Sequence, residues 1–280
     1  EIDVKKYDVV FVHPSKWTQA PFLLQFLKSK SIYYCQEPLR IVYDPVFAIP
    51  SLPQHKYAYE WLSRIVRKVI DDSNIQSADV VLANSNFTRS NILKAYGIQA
   101  ATLHMGVDTS VFYPGGKKDI DLLFVGTRDV EEGYGLFQDA LELLPSALKK
   151  KLRLKYLIRG ENWTANDKEL RDIYAQTHIV MCFGYNEPFG LIPIEAMACG
   201  ATVIALKEGG YLDSVKDGNM GVLVGRNASE MTRAIQKLFG DKKMLSRMEK
   251  AAALEIKEKW GWENAANQLT KYVKGLMYQI

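Results

Sequence analysis

The chain has 280 residues, which suits one large domain or two ordinary ones, and 48% of them are hydrophobic and 24% charged, as in ordinary globular proteins. No apolar run reaches the length of a transmembrane helix. The net charge of +4 fits an acidic small molecule or contact with an anionic membrane, and it is too small to indicate a nucleic acid partner.

Short β-branched runs alternate with segments of helical period along most of the chain. The predicted strands are Val9–Val12, Ser31–Cys35, Val80–Ala83, Ala101–Leu103, Leu122–Val125, Leu154–Ile158, Ile179–Cys182, Thr202–Ala205 and Val222–Val224. The predicted helices are His55–Asp71, Ser85–Ala95, Gly135–Leu144, Asp167–Ala175, Ser229–Phe239 and the tail Asp241–Gln279. This alternation predicts parallel sheets with helices on both faces.

A cluster of chain-breaking residues at Phe112–Asp119 predicts a linker between two doubly wound domains. We place an N-terminal domain at residues 1–113, a C-terminal domain at 114–262 and a final helix at 263–280. The N-terminal domain has few strands, and the chain opens at Glu1 without an initiator Met or a signal peptide, so we expect an N-terminal portion to be missing. Two such domains facing a cleft bind ligands at the carboxyl ends of their strands.

The three cysteines, Cys35, Cys182 and Cys199, lack the spacing of metal or redox sites and lie in or beside apolar runs. We predict buried, reduced thiols, which favours a cytoplasmic protein. No cluster of His, Cys and carboxylate residues indicates a bound metal. The segment Asp119–Asp121 has the D-x-D form of some metal-dependent transferases, but it leads straight into a strand, and we interpret it as a solvated strand start.

The loop after the strand Ile179–Cys182 leads directly into an apolar helix. Pro188 and Gly190 allow the backbone to turn tightly into that helix. The free N–H groups of its first turn then point outward from the strand ends, and such a terminus binds anions such as a diphosphate.

Two glutamates flank this helix start. Glu195 lies one turn into the helix among apolar neighbours, and a carboxylate in such surroundings needs a partner, such as the hydroxyl pairs of a ribose or a sugar. Glu187 lies on the preceding loop and is placed to reach the same cavity. The alternative is structural, with Glu187 capping the helix and Glu195 bonding a lysine.

The segment Glu187–Glu195, an E-x7-E motif continued by residues 196–205, resembles the retaining GT-B glycosyltransferases of family four, also called group 1. Segments elsewhere in the chain extend the resemblance over essentially its whole length: Gly209-Gly210, Asp217–Gly221, Ala83–Thr88, Gly106–Asp108 and Trp262-Glu263. The resemblance implies an α/β fold of two Rossmann-like domains facing a cleft, and it implies that the N-terminal domain is incomplete here. In the family the last helix crosses back to the first domain.

The resemblance also implies roles for individual residues. Glu195 would hold the ribose hydroxyls of the donor, and Glu187 would contact the transferred sugar. His13 would face that sugar from the other domain, although a histidine at a strand end is more often structural. The backbone N–H groups expected to bind the sugar and the diphosphate are those of Phe189, Gly190 and Leu191. In the family the departing phosphate accepts the proton of the acceptor, and no metal or other cofactor is expected.

The chain departs from the family after the first strand of the C-terminal domain. The usual form there is G-R-x4-K-G, and direct alignment puts Thr127 at the arginine and Glu132 at the lysine. Arg128, shifted by one residue, or Arg159, at the end of the next strand, is the candidate replacement, and the alternative for each is a salt bridge. The further residues assigned to donor binding are Gly126, Thr127, Arg128 and Gly160.

The segment Tyr34–Asp44 resembles members of the family that use GDP-mannose and build lipid-linked or surface glycans. The sequence therefore predicts a retaining mannosyltransferase that uses GDP-mannose and a glycan or lipid-linked acceptor. The helix Lys56–Ile70 combines apolar and basic side chains, so it either touches the inner face of a membrane or packs as an ordinary surface helix. The alternatives for the function are a non-catalytic homologue or subunit that binds nucleotide or a partner chain, and a nucleotide-sugar epimerase.

Overall fold

The computed structural model describes residues 7–49, 52–163 and 166–278. The chain divides into two compact units, one formed by Glu1–His104 with Ala266–Ile280 and the other by Met105–Ala265. Within the described ranges, no helix is both long enough and apolar enough to cross a lipid bilayer.

The first unit contains a four-stranded parallel sheet in the order β1-β2-β3-β4. Its strands are β1 (Val9–Val12), β2 (Lys30–Cys35), β3 (Val80–Ala83) and β4 (Ala101–Thr102), and its helices are α1 (Arg40–Tyr43), α2 (Gln54–Gln76) and α3 (Asn86–Tyr96). Two short 3-10 turns lie at Phe22–Phe26 and Pro45–Phe47.

A buried carboxylate organises the core of this unit. Asp71, on α2, is completely buried and accepts hydrogen bonds from the Ala20 amide (2.8 Å) and the Tyr96 hydroxyl (2.5 Å). Burial raises the pKa of the Asp71 carboxyl, whereas these hydrogen bonds favour its charged form. Asp71 therefore joins the segment before β2, the end of α2 and the end of α3.

The second unit contains a five-stranded parallel sheet in the order β6-β5-β7-β8-β9. Its strands are β5 (Ile120–Gly126), β6 (Leu154–Ile158), β7 (Thr177–Cys182), β8 (Thr202–Leu206) and β9 (Gly221–Val224). Its helices are α4 (Tyr134–Glu142), α5 (Ser146–Lys149), α6 (Asp167–Ala175), α7 (Leu191–Ala198), α8 (Tyr211–Ser214), α9 (Ala228–Gly240) and α10 (Lys242–Lys259). A last helix, α11 (Trp262–Met277), begins in this unit, and its residues from Ala266 onward belong to the first.

All nine predicted strands are present and all pair in parallel, as the alternation predicted. Several extend one or two residues beyond the predicted ends, because the edges of an apolar run do not mark where ladder hydrogen bonds stop. The predicted long helices are present as well, but the tail predicted as helical over Asp241–Gln279 is divided at Trp260-Gly261 into α10 and α11. Gln279 lies outside the described residues. The cysteines Cys35, Cys182 and Cys199 are buried and free, as predicted.

Along the chain, the change from the first unit to the second falls between His104 and Met105, nine residues before the predicted boundary at residue 113. The residues after Met105 pack on the second unit, because the Val107 amide donates to the Trp260 carbonyl (2.8 Å) and the buried ring of Phe112 lies 6.4 Å from that of Tyr174. The predicted linker is also held in place, since the Lys118 ammonium donates to two backbone carbonyls, at 2.6 and 2.7 Å. Its glycines and proline mark turns within a packed segment.

Candidate functional site

The strand order of the second unit reverses between β5 and β7, because β6 lies on one side of β5 and the later strands on the other. In open parallel sheets a ligand binds in the crevice outside the carboxyl ends of the strands at such a point. Two segments leave the sheet there, the β5 loop (residues 127–133) and the β7 loop (residues 183–190). The Tyr185 amide donates to the Glu131 carbonyl (2.6 Å), so the two loops contact each other directly.

Glycine makes this close approach possible. A Cβ atom at Gly133 would lie 2.3 Å from the Phe183 carbonyl oxygen, and Gly133 has the left-handed φ of +70°. The turn after β6 joins the same edge, because the Arg159 amide donates to the Gly126 carbonyl (2.8 Å). The ends of three neighbouring strands therefore form one continuous surface.

Two glycines after β8, Gly209 and Gly210, contact the backbone of the β7 loop. The Gly210 amide donates to the Glu187 carbonyl (2.7 Å). A Cβ atom would lie 2.5 Å from the Glu187 carbonyl oxygen if added at Gly209, and 2.4 Å from the Phe189 Cα if added at Gly210. The resemblance assigned these glycines to the family pattern, and their physical role is to let two backbones touch.

A polar network holds the tip of the β7 loop. Asn186 has a left-handed φ of 50°, and its amide donates to the Glu208 carboxylate (2.9 Å). The same carboxylate accepts two hydrogen bonds from the Arg226 guanidinium (2.7 and 2.5 Å), which also lies over the Tyr185 ring, 4.1 Å from its centroid. Sequence reasoning missed this network, because its members come from three loops and no local spacing connects them.

Tyr211 is a second feature that sequence reasoning missed. Its side chain is buried, and its ring lies against Gly190, where an added Cβ would approach to 2.8 Å. Burial, followed by the nearby charge of Glu187, raises the pKa of the Tyr211 hydroxyl well above its ordinary value, so this group stays a neutral donor. The available signal was its position, directly after the two glycines that contact the β7 loop.

The Glu187 side chain reaches the start of α7. Its Oε1 accepts a hydrogen bond from the Gly190 amide (3.2 Å), and Gly190 adopts a left-handed φ of +87° immediately before the helix. Phe189 is buried and packs 5.8 Å from the Trp260 ring, whereas Leu191 is 39% exposed. One of the three amides predicted to bind the donor is therefore occupied by Glu187 in this structure.

The Glu195 carboxylate is weakly partnered. It accepts one long hydrogen bond, from the Tyr174 hydroxyl (3.4 Å), and it forms no ion pair with any residue that the structure describes. Burial raises the pKa of Glu195 to about 7, and the Tyr174 hydrogen bond opposes this shift. The lysine partner considered from sequence is not found in the described chain, and the carboxylate retains capacity to accept hydrogen bonds.

Arg128 and Thr127 bond to their own neighbours. The Arg128 guanidinium forms a bidentate pair with Glu161 (2.6 and 2.9 Å) and donates to the Tyr134 hydroxyl (2.5 Å). The Thr127 hydroxyl donates to Asp129 (2.7 Å). The salt-bridge alternative for Arg128 is therefore what the structure contains.

Glu132 and Arg159 lie at the same edge. A Cβ atom at Gly126 would lie 2.9 Å from the Glu132 Oε2, so this carboxylate covers the end of β5. Burial and then the charge of Glu187 raise the pKa of the Glu132 carboxyl, and the charge of Arg159 opposes them. The departure from the family pattern at Glu132 thus lies within electrostatic reach of Glu187. The Arg159 guanidinium lies over the Trp163 ring, 5.4 Å from its centroid.

The predicted site residues fall into both units. Gly160 has a φ of +87° in the open turn after β6. His13 belongs to the first unit, where it is exposed directly after β1, with its ring centroid 5.0 Å from that of Phe11 in an edge-to-face arrangement. Among the residues described, no group of three or more His, Cys, Asp or Glu side chains is arranged to hold a metal ion. The predicted residues brought to the carboxyl edge of the second sheet or to α7 are Gly126, Thr127, Arg128, Gly160, Glu187, Phe189, Gly190, Leu191 and Glu195.

Residues 162–255 match the family described as glycosyl transferases group 1, which supports the resemblance over that segment. A D-inositol 3-phosphate glycosyltransferase from Streptomyces bingchenggensis is 41% identical over 99 residues, which are 35% of this chain and 22% of that protein. D-inositol 3-phosphate glycosyltransferase 2 from Catenulispora acidiphila is 27% identical over 244 residues, 71% of this chain and 57% of the relative. In such longer matches the chain spans a little more than half of the relative's length.

Solved structures resemble nearly the whole chain. Sucrose-phosphate synthase from Thermosynechococcus elongatus superposes with a TM-score of 0.74 at 19% identity, over 97% of this chain and 74% of that one. Anabaena HepE in complex with UDP-glucose gives a TM-score of 0.69 at 17% identity, over 97% and 80% of the two chains. This likeness shows the fold, which is α/β of the GT-B class with two Rossmann-like domains, as predicted.

Proposed function

We propose that this protein transfers a sugar from a nucleotide-sugar and binds the donor at the carboxyl edge of the second sheet. The observation that carries the proposal is the β7 loop, which enters α7 at the topological switch point with Glu187 and Glu195 on either side of the helix start. The match of residues 162–255 to glycosyl transferases group 1 supports the same reaction class.

In the proposed complex the donor diphosphate lies at the start of α7. The first amides of a helix carry a partial positive charge and suit an anion. The Gly190 amide is bonded to Glu187 at 3.2 Å, so we propose that Glu187 releases it when the diphosphate arrives and turns to the transferred sugar. Charge that develops on the departing diphosphate would then be stabilised by groups already in place, which is the main demand of this chemistry.

Glu195 is proposed to bind the ribose hydroxyls. Its only hydrogen bond among the described residues is the long one from Tyr174, so it can accept from two neighbouring hydroxyl groups. A buried carboxylate that lacks a strong partner costs free energy, and hydrogen bonds from a ribose would offset that cost. Glu195 would thereby distinguish a nucleotide from inorganic diphosphate.

Arg159 is proposed to supply the positive charge that the family obtains from its basic pair. Arg128 is less suited, because Glu161 and Tyr134 already hold its guanidinium. Arg159 forms no ion pair within the described ranges, and it acts electrostatically on Glu132 at the end of β5. A diphosphate would attract Arg159 more strongly than the single carboxylate does.

The donor and the acceptor are finer proposals. GDP-mannose is the donor predicted from residues 34–44, and transfer with retention to a glycan or lipid-linked acceptor in the cytoplasm goes with it. A UDP-sugar is the second candidate, since the HepE neighbour was solved with UDP-glucose. D-inositol 3-phosphate enters as a candidate acceptor because two relatives are named for it. No metal is included, and membrane contact is a separate proposal that concerns the first unit.

Calorimetric titration with GDP, UDP, GDP-mannose and UDP-glucose tests donor binding. We expect one of the two nucleotide families to bind, and Glu195→Ala to weaken that binding at least tenfold. Glu142→Ala, at an exposed glutamate on α4, is the matched control and should bind normally. Absence of binding by all four compounds would contradict the proposal for this chain.

A binding protein without turnover is the second candidate. The observation in its favour is Glu132, an acidic side chain at the position where the family carries lysine. Glu132 lies close enough to Glu187 for the charge of Glu187 to raise the pKa of the Glu132 carboxyl. Release of labelled sugar from the bound donor separates the two candidates. Release that Glu187→Ala abolishes supports the transferase, whereas binding without any release supports the non-catalytic protein.

A further inference from the structure

The outer face of α2 in the first unit is apolar, and no described residue covers it. Tyr59, Leu62, Val66 and Val69 follow one another at helical spacing and are 75%, 55%, 44% and 63% exposed. The residues of α2 that are buried are Asp71, Asn74 and Ile75, all in its last two turns. The first four turns therefore do not pack as an ordinary surface helix does, with its apolar side inward.

A second apolar segment lies beside this helix. The Arg67 guanidinium donates to the Trp17 carbonyl (2.7 Å), and the Gln25 side-chain Nε2 donates to the Asn74 Oδ1 (2.6 Å), so residues 17–26 run along α2. Trp17, Phe22 and Phe26 are 50%, 47% and 71% exposed. We call Trp17, Phe22, Phe26, Leu62, Val66 and Val69 the apolar face.

The two segments that carry the apolar face are rich in basic residues. Residues 16–30 and 61–70 together contain six Lys and Arg and no Asp or Glu. Their net charge of +6 is larger than that of the whole chain, +4. Arg64 pairs with Glu60, and Lys30 pairs with Asp79. The others form no ion pair with any residue in the described ranges, and they are Lys16, Lys28, Arg67 and Lys68.

We propose that the apolar face binds peripherally to a membrane surface rich in anionic lipid. Exposed aromatic and aliphatic side chains with basic residues at their margin are the combination that binds the boundary between headgroups and acyl chains. Each Lys or Arg near such a surface strengthens binding about fivefold. A second copy of the chain fits less well, because it would bring two faces of the same charge together.

This proposal is independent of the donor site, which lies in the second unit. Co-sedimentation compares vesicles of phosphatidylcholine alone with vesicles that also contain phosphatidylglycerol. We expect binding to the mixed vesicles only, and we expect added salt to weaken it because the charges are exposed.

Two variants assign the binding to this face. Leu62→Ser with Val69→Ser should reduce vesicle binding at least tenfold, and Lys28→Glu with Lys68→Glu should do the same without removing apolar surface. Leu254→Ser, at a residue 58% exposed on α10, is the matched control and should bind like the parent chain. Unchanged thermal unfolding and nucleotide binding would show that the variants fold.

Three results would overturn the proposal. The first is absence of binding to either vesicle, and the second is equal binding by the parent chain and the Leu62→Ser, Val69→Ser variant. The third is self-association without lipid that this variant abolishes, which would assign the face to a second copy.

Discussion

At the scale of single residues, the charge of Glu132 bears directly on the proposed donor site. It places a second carboxylate near Glu187, where a diphosphate would have to approach. We expect Glu132→Lys to tighten binding of the nucleoside diphosphate roughly tenfold, because the change removes a repulsion and adds an attraction. Glu132→Gln should give a smaller gain in the same direction.

Calorimetric titration measures this effect, with Glu142→Lys as the control for the change in net charge alone. Unchanged or weaker binding by Glu132→Lys would mean that the diphosphate does not approach Glu132. The proposal that Arg159 supplies the positive charge for the diphosphate would then lose its support.

Glu195 predicts a dependence of stability on pH. Burial raises its pKa in the folded chain to about 7, above the ordinary carboxyl value of 4.5. The folded state therefore binds the proton more tightly than the unfolded state, so this group costs stability as the pH rises from about 4.5 to about 7. Glu195→Gln should remove the cost, with a gain of about 3 kcal/mol above pH 7 and little change near pH 4.5.

Urea unfolding of both chains at several pH values measures the difference, in which the other titrating groups cancel. A constant difference between the two chains across this range would show that Glu195 ionises normally in the folded state.

At the scale of elements, the contact between the β7 loop and the turn after β8 decides whether the site forms. Gly210 has the helical φ and ψ of −70° and −12°, which alanine adopts readily, so only the lack of space opposes Gly210→Ala. The added methyl group would lie 2.4 Å from the Phe189 Cα and must displace backbone. We expect a loss of about 1–3 kcal/mol in the free energy of unfolding and loss of nucleotide binding.

Gly135→Ala is the control for this change. Gly135 lies in α4, where an added Cβ meets nothing within 4 Å, so alanine should be neutral or stabilise the helix by up to about 1 kcal/mol. Equal thermal unfolding of the two variants would show that the close contact with the β7 loop is not required.

The elements that the sequence predicted well are those with a clear pattern in their own stretch of residues. Runs such as Val80–Ala83 are β-branched and flanked by polar residues, so each strand was evident without its partners. The helices Arg40–Tyr43, Ser146–Lys149 and Tyr211–Ser214 were missed because four residues are too few to show a helical period. Helix α2 was predicted with the right period, but periodicity does not state which side of a helix is covered.

The features of the candidate site likewise fall into those formed by one stretch of sequence and those formed by residues far apart in the chain. The E-x7-E segment and its helix start were visible because they lie in one stretch of sequence. The bond of Arg128 to Glu161 joins residues 33 apart, and the hydrogen bond from Asn186 to Glu208 joins residues 22 apart. Such pairs depend on which strands become neighbours, and a single sequence does not contain that information.

At the scale of the whole molecule, the proposed donor residues other than His13 fall within one compact unit, Met105–Ala265. We expect hydrogen exchange with a bound nucleoside diphosphate to slow in the β5 and β7 loops and in the start of α7. Exchange in residues 7–49 should not change. At a ligand concentration a hundred times Kd the second unit should gain about 2.7 kcal/mol of stability.

Glu195→Ala is the control, and because its binding is at least tenfold weaker, its gain in stability at the same ligand concentration should be smaller by about 1.3 kcal/mol or more. Protection confined to the first unit would place the nucleotide elsewhere and contradict the assignment of the site.

The division of the chain also bears on how the protein is made. The second unit is one uninterrupted stretch, so all of its strands have left the ribosome before the last helix is complete. The first unit is not, because it includes residues from Ala266 onward, more than 160 positions after His104. During synthesis it must therefore wait, without its final helix, until the second unit has been translated.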